Sequence, residues 1–102
     1  KSLESILRNT ELDLLGVLGY EINFSTEYGT NNDIDFEQKY KYSPQSGFSK
    51  SASGFDGKIL NEISKRSFSR EALIASKEIN RKTIEYYFEE LNIKSRVFFK
   101  WF

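Results

Sequence analysis

Residues 70–91 read REALIASKEINRKTIEYYFEEL, and whether this stretch is one helix or two decides the fold. Ala72, Ala75, Ile79, Thr83, Tyr86 and Tyr87 recur at helical spacing and make a stripe suited to burial. Ser67 or Ser69 can cap the start by accepting a hydrogen bond from a first-turn N–H. Ser69 followed by Ala72 is not a full capping box, so periodicity carries the reading. The competing reading is a helix-turn-helix. Ala75 would sit in its first helix, and Arg81 to Thr83 would open a recognition helix aimed at base edges. Against it, the turn position that favours glycine is Glu78, nothing nearby breaks a helix, and Tyr86, Tyr87 and Phe88 would crowd the second helix. One continuous helix to about Leu91, ended by Asn92, is the preferred reading.

Working outward from that helix, a shorter one is predicted from about Gly57 to Lys65, after a loop at residues 51–54, Ser-Ala-Ser-Gly. Phe36 to Tyr42 and Gly47 to Ala52 flank Ser43-Pro44-Gln45-Ser46. That pattern predicts a hairpin with Tyr40 and Tyr42 on one face and Lys39 and Lys41 on the other. Gly29 through Asp35 is rich in Gly, Asn, Thr and Asp and reads as a surface loop. Tyr20, Ile22 and Phe24 alternate with polar residues, which suits a short strand or an extended exit segment. Residues 2–18 read as an amphipathic helix. Leu3, Leu7, Leu14 and Leu18 lie on its expected buried stripe, with Ile6 and Leu15 beside them and Gly19 as the stop. Glu4, Arg8, Glu11 and Asp13 take its other positions. At the far end a short helix would place Val97, Phe98, Trp101 and Phe102 on one face. The expected architecture is α+β, mostly α: one helical domain over residues 1–102 with a small β-hairpin insertion.

Composition restricts the chemistry. The 102 residues contain no cysteine and no histidine, which removes disulfides, thiol nucleophiles, imidazole bases and the usual zinc sites. Fifteen basic residues balance fifteen acidic ones, so a whole-chain basic field is absent. The charge is uneven, with a net of −3 over residues 1–60 and +3 over residues 61–102. The longest apolar stretches, near Leu14 and Phe98, are too short to span a bilayer, and a soluble cytoplasmic protein is the default expectation. With no methionine, a start inside a helix and an end on Trp101-Phe102, the chain is expected to be part of a longer protein.

Few groups suggest catalysis. Asp33 with Asp35 and Glu89 with Glu90 read as solvated charges in a loop and on a helix surface. Gly54 and Gly57 make no phosphate loop. The expectation is a non-enzymatic protein without cofactor or metal. Lys94, Arg96 and Lys100 interleave with Phe98, Phe99 and Trp101, so the cations can meet phosphate while the rings pack as core. Arg8 stands among Leu7, Leu12 and Leu15 and can pair with Glu4 or Glu11. An arginine beside an apolar pocket would also suit a peptide C-terminus, its fork holding the carboxylate.

Two motifs resemble one family. Residues 11–20, ELDLLGVLGY, resemble the RecO segment in which a glutamate-leucine start leads through a leucine pair to a Leu-Gly-Tyr stop. Residues 93–99, IKSRVFF, resemble that family's closing segment. Between them, Tyr40-Lys41-Tyr42 and Gly47-Phe48 resemble the tyrosine-rich hairpin of enterobacterial RecO. Many members carry a four-cysteine zinc site after the Leu-Gly-Tyr segment, and this chain would join the subgroup that lacks it. Thr10 stands where members often have an aromatic.

The resemblance implies the C-terminal, helical part of a RecO protein, without the family's N-terminal OB-fold. It implies a recombination mediator in DNA repair that works with RecR, helps load RecA onto single strands covered by single-stranded-DNA-binding protein, and anneals complementary strands. It further implies that the acidic, phenylalanine-ended tail of the binding protein docks at Arg8, with Leu7, Leu12 and Leu15 as apolar neighbours. Lys77, Arg81, Lys94, Arg96 and, by its place in the basic tail, Lys100 are the residues expected to meet DNA or the acidic tail. A sequence-specific helix-turn-helix protein is the alternative.

Overall fold

Ser69 begins the helix on which the rest of the molecule is assembled. The computed structural model describes residues 2–88. Its longest element, Arg70–Tyr87, runs unbroken through Glu78. The helix-turn-helix alternative is therefore corrected: this stretch holds residues of high or neutral helix propensity and no glycine or proline, so nothing opens a turn. The Ser69 hydroxyl accepts a hydrogen bond from the Ala72 N–H at 3.2 Å, satisfying one of the free first-turn donors. Ser69→Ala is expected to cost about 1 kcal/mol of stability, read from the midpoint of urea unfolding.

In chain order the elements are α1 (Leu3–Val17), β1 (Lys39–Ser43), β2 (Gly47–Ser51), β3 (Phe55–Asp56), α2 (Gly57–Ser64) and α3 (Arg70–Tyr87). The α+β, mostly helical architecture holds. α3 packs against α1, α2 and β1. Its small side chains Ala72 and Ala75 let neighbours approach closely, and Ile79 fills the space between them. Tyr86, expected in the buried stripe, is 46% exposed. The reason is positional: at that end of the helix the hairpin tip meets Tyr87, whose hydroxyl donates to the Pro44 carbonyl at 2.9 Å. Ile84, absent from the expected stripe, is buried.

The expected hairpin forms, with Tyr40 opposite Lys50 and Tyr42 opposite Phe48. Tyr40 and Phe48 are fully buried, while Lys39 and Lys41 face solvent. β3, which lies between the expected loop at residues 51–54 and the expected helix and was not anticipated, pairs with β1 and gives the sheet order β2-β1-β3. Gly54 and Gly57 make this possible. A Cβ on Gly54 would run into the Tyr40 carbonyl, and one on Gly57 into the Asp35 carbonyl. Residues 20–25 form an extended exit segment, not a strand of the sheet. The loop after it is closed by an isolated bridge between Thr26 and Asp33.

α1 differs from expectation in which face it buries. Arg8, Glu11, Leu12 and Leu15 point inward, whereas Leu3 is 72% and Leu18 45% exposed. Leucines line both sides of this helix, so periodicity does not choose between the two faces. What chooses is α3, which offers a polar partner for the Arg8–Glu11 pair between its alanines and Thr83. One core cluster results, including Leu12, Phe24, Ile34, Tyr40, Phe48, Leu60, Ile63 and Ile79. No described helix is long and apolar enough to cross a membrane.

Candidate interaction site

Two features of α1 stand out, one buried and one open. The buried one is a polar knot between α1 and α3. Arg8 Nη2 donates to Glu11 Oε2 at 2.8 Å, and Arg8 Nε lies 2.7 Å from Glu11 Oε1, without the alignment of a hydrogen bond. Both side chains are 1% exposed. Glu11 Oε1 also accepts from Asn80 Nδ2 at 2.9 Å, and that amide reaches Ser76 Oγ at 3.2 Å. A charged pair so far from water persists only if hydrogen bonds replace the lost hydration, and Asn80 supplies one from the facing helix.

The open feature is a groove of about 640 Å³ between α1, the exit segment and the end of α2. Leu12, Phe24 and Ile63, all buried, make its floor, with Ile22 and Val17 on the walls. Arg66 stands on its rim beside Asn9 and Asp13. Its Nη1 donates to Asn9 Oδ1 at 2.7 Å, and its Nη2 to Asp13 Oδ1 at 3.2 Å. Asn9 and Asp13 are one helical turn apart, so one guanidinium spans both. Arg66 has φ 58°, in the left-handed region where glycine is the usual residue after a helix. Its N–H donates to the Ile63 carbonyl at 3.0 Å, and the Ser67 N–H closes on Glu62 at 2.9 Å. The helix end thereby aims the arginine at α1. Glu21 marks the other end of the groove, its carboxylate against Gly16.

A smaller hollow of about 210 Å³ lies between Tyr20, Tyr42, Tyr87 and the hairpin tip. Tyr20 stacks on Tyr87 with ring centroids 4.2 Å apart. Tyr42 Oη and Thr83 Oγ1 are 2.6 Å apart, and Thr83 donates to the Ile79 carbonyl at 2.8 Å, which leaves the tyrosine as donor. Burial holds the Tyr42 phenol above the usual tyrosine range, with the Thr83 hydroxyl opposing the shift. This hollow is an aromatic seam that ties the hairpin to α3.

No protein-family model matches the chain. Individual relatives do. The chain is 35% identical over 106 residues to the DNA repair protein RecO of Salmonella gallinarum, covering 99% of the chain and 44% of the relative. It is 34% identical over 106 residues to RecO of an Enterobacter species, covering 99% and 45%. It is also 34% identical over 104 residues to RecO of Escherichia coli O1:K1, covering 97% and 43%. This chain is a homologue of RecO. It spans a little under half the length of those relatives.

With RecO as the frame, the expected tail-binding residues separate into two groups. Leu12 lines the open groove. Arg8 and Leu15 are each 1% exposed and belong to the interior, and Leu7 is half-buried. The sequence offered Glu4 or Glu11 as the partner of Arg8, and the partner is Glu11. Arg8→Ala removes one half of a buried ion pair, so it is expected to destabilise the fold. Lys77 and Arg81 lie on the exposed side of α3, where Arg81 reaches Glu85 at 3.9 Å and Lys82 reaches Glu78 at 3.5 Å. That face carries both signs of charge. Lys94, Arg96 and Lys100, with the expected short helix at Val97–Phe102, lie outside the described residues. Sequence reasoning missed Arg66. It sits 53 residues beyond Asp13, and its one local signal is a cation just past the end of a short helix.

Proposed function

We propose that this chain is the C-terminal part of a RecO-type DNA repair protein and acts by binding, without catalysis. In this reading it serves recombination mediation: it engages RecR, single- and double-stranded DNA and the acidic tail of single-stranded-DNA-binding protein, so that RecA is loaded and complementary strands anneal. The observation that carries the reading is identity of 35% with a RecO protein along 99% of the chain. The absence of histidine and cysteine agrees with a role in binding.

The docking place for the tail is the groove beside Arg66. An arginine able to meet a carboxylate and an apolar floor able to take a phenylalanine ring coincide there. Arg8 contributes by fixing α1 against α3, which sets the wall on which Leu12, Asp13 and Gly16 stand.

Fluorescence anisotropy tests this reading. A short acidic peptide ending in phenylalanine with a free carboxylate should bind, and its C-terminal amide should bind more than about tenfold more weakly, as loss of a charge-assisted contact requires. Equal affinity for acid and amide would sink the tail-docking reading. Salt-dependent binding of labelled single strands supports the DNA role, while complete indifference to DNA at low salt leaves only a protein adaptor.

A further inference from the structure

We infer that Asp13 is an internal occupant of the Arg66 site, a carboxylate that holds the guanidinium until a peptide carboxylate displaces it. The inference rests on the tail-binding reading above and adds a regulatory element to it.

The geometry has three parts. First, Arg66 links two separate elements. Its left-handed backbone costs a non-glycine residue energy, yet the side chain is used to bridge from the end of α2 to α1. Second, the two bonds differ. Asn9 holds Nη1 at 2.7 Å and fixes the direction of the fork, while Asp13 meets Nη2 at a looser 3.2 Å. Third, the Asp13 side chain is 70% exposed and that of Arg66 40%. An ion pair this open contributes little to stability and exchanges readily. An incoming carboxylate beside the floor of Leu12, Phe24 and Ile63 gains apolar burial that Asp13 cannot match, because Asp13 brings no ring into the groove.

The occupant that fits is a peptide ending in a free carboxylate on an apolar last residue. The charge along the groove sets its direction. The cation lies at the Asn9–Asp13 end and Glu21 at the Gly16 end. The carboxyl terminus therefore belongs at Arg66, with the apolar side chain on the floor.

Four proteins and the two peptides decide the matter by anisotropy: the unaltered chain, Asp13→Asn, Arg66→Gln and Glu21→Gln. Asp13→Asn is expected to tighten binding of the free-acid peptide by a factor of up to about five, the ceiling set by releasing an exposed ion pair. It should leave the amide peptide unchanged. Arg66→Gln should lose most of the affinity and make Asp13→Asn silent in the double variant. Glu21→Gln removes the same charge from the far end and should tighten acid and amide alike. If Asp13→Asn and Glu21→Gln act identically on both peptides, Asp13 is only a general repulsive charge and the inference is overturned. Peptide binding by the unaltered chain with no response to Asp13→Asn also overturns it and leaves tail docking standing. If no variant binds the peptide, the docking reading and the inference fail together. Circular dichroism of each variant, expected unchanged for these exposed positions, separates binding from folding.

Discussion

Glu11→Ala is expected to destabilise the protein by about 3–5 kcal/mol, the cost of leaving one member of a buried ion pair behind. Glu11 is 1% exposed and receives both Arg8 and Asn80. Without it, the Arg8 guanidinium stays unpaired in the interior, and the Asn80 amide loses an acceptor. Arg8→Ala should cost less, because the carboxylate left behind keeps its bond from the Asn80 amide. The double change Arg8→Met with Glu11→Leu should restore most of the loss, since apolar residues of similar volume do well where buried pairs merely break even. Urea unfolding followed by far-ultraviolet circular dichroism gives all three values. A loss below about 1 kcal/mol for Glu11→Ala would place the pair in contact with water and refute the burial argument. The ordering matters for function too, because reduced peptide binding by Arg8→Ala is then expected to track the folded fraction, and not to reflect a lost contact.

Phe48→Ala is the second large effect, about 3–5 kcal/mol, from lost burial plus the cavity left behind. Phe48 is fully buried, with its ring 5.5 Å from Phe24 and 4.8 Å from Tyr42. Its carbonyl accepts the Tyr28 N–H at 2.8 Å, so the same residue anchors the loop after the exit segment. Phe24 in turn floors the groove. The variant should therefore lose near-ultraviolet aromatic signal and peptide affinity together. A domain of this size has a total stability of about 5–15 kcal/mol, so the change removes a large share of it. Retained stability in thermal unfolding would show that the hairpin is not part of the cooperative core.

The continuity of α3, the register of the hairpin, the solvent-facing lysines of β1 and the left-handed stops near Gly19 and Gly29 follow from local rules. They depend on propensity, alternation and turn chemistry within a few residues. Kinship with RecO was also local, carried by the order of short motifs around the hairpin. The inward face of α1 was not local. Leucines on both sides make the two faces nearly equal in apolar content, and Asn80, 69 residues away, decides that Arg8 and Glu11 turn inward.

For binding, the division is the same. The sequence pointed to the kind of site, an arginine beside leucines, and to Leu12 as one of its residues. The resemblance to RecO named Arg8 as that arginine, and the fold buries it against Glu11. The groove joins α1, the exit segment and the end of α2, and its arginine is Arg66, carried there by a left-handed turn and fixed by Asn9 and Asp13 on α1. Sequence by itself determined the helices, the hairpin, their order and the likeness to RecO. Only the tertiary structure decided which charges are buried as structure and which remain at the rim of the open groove. That choice depends on which surfaces lose water, and loss of water is a property of packing between distant segments.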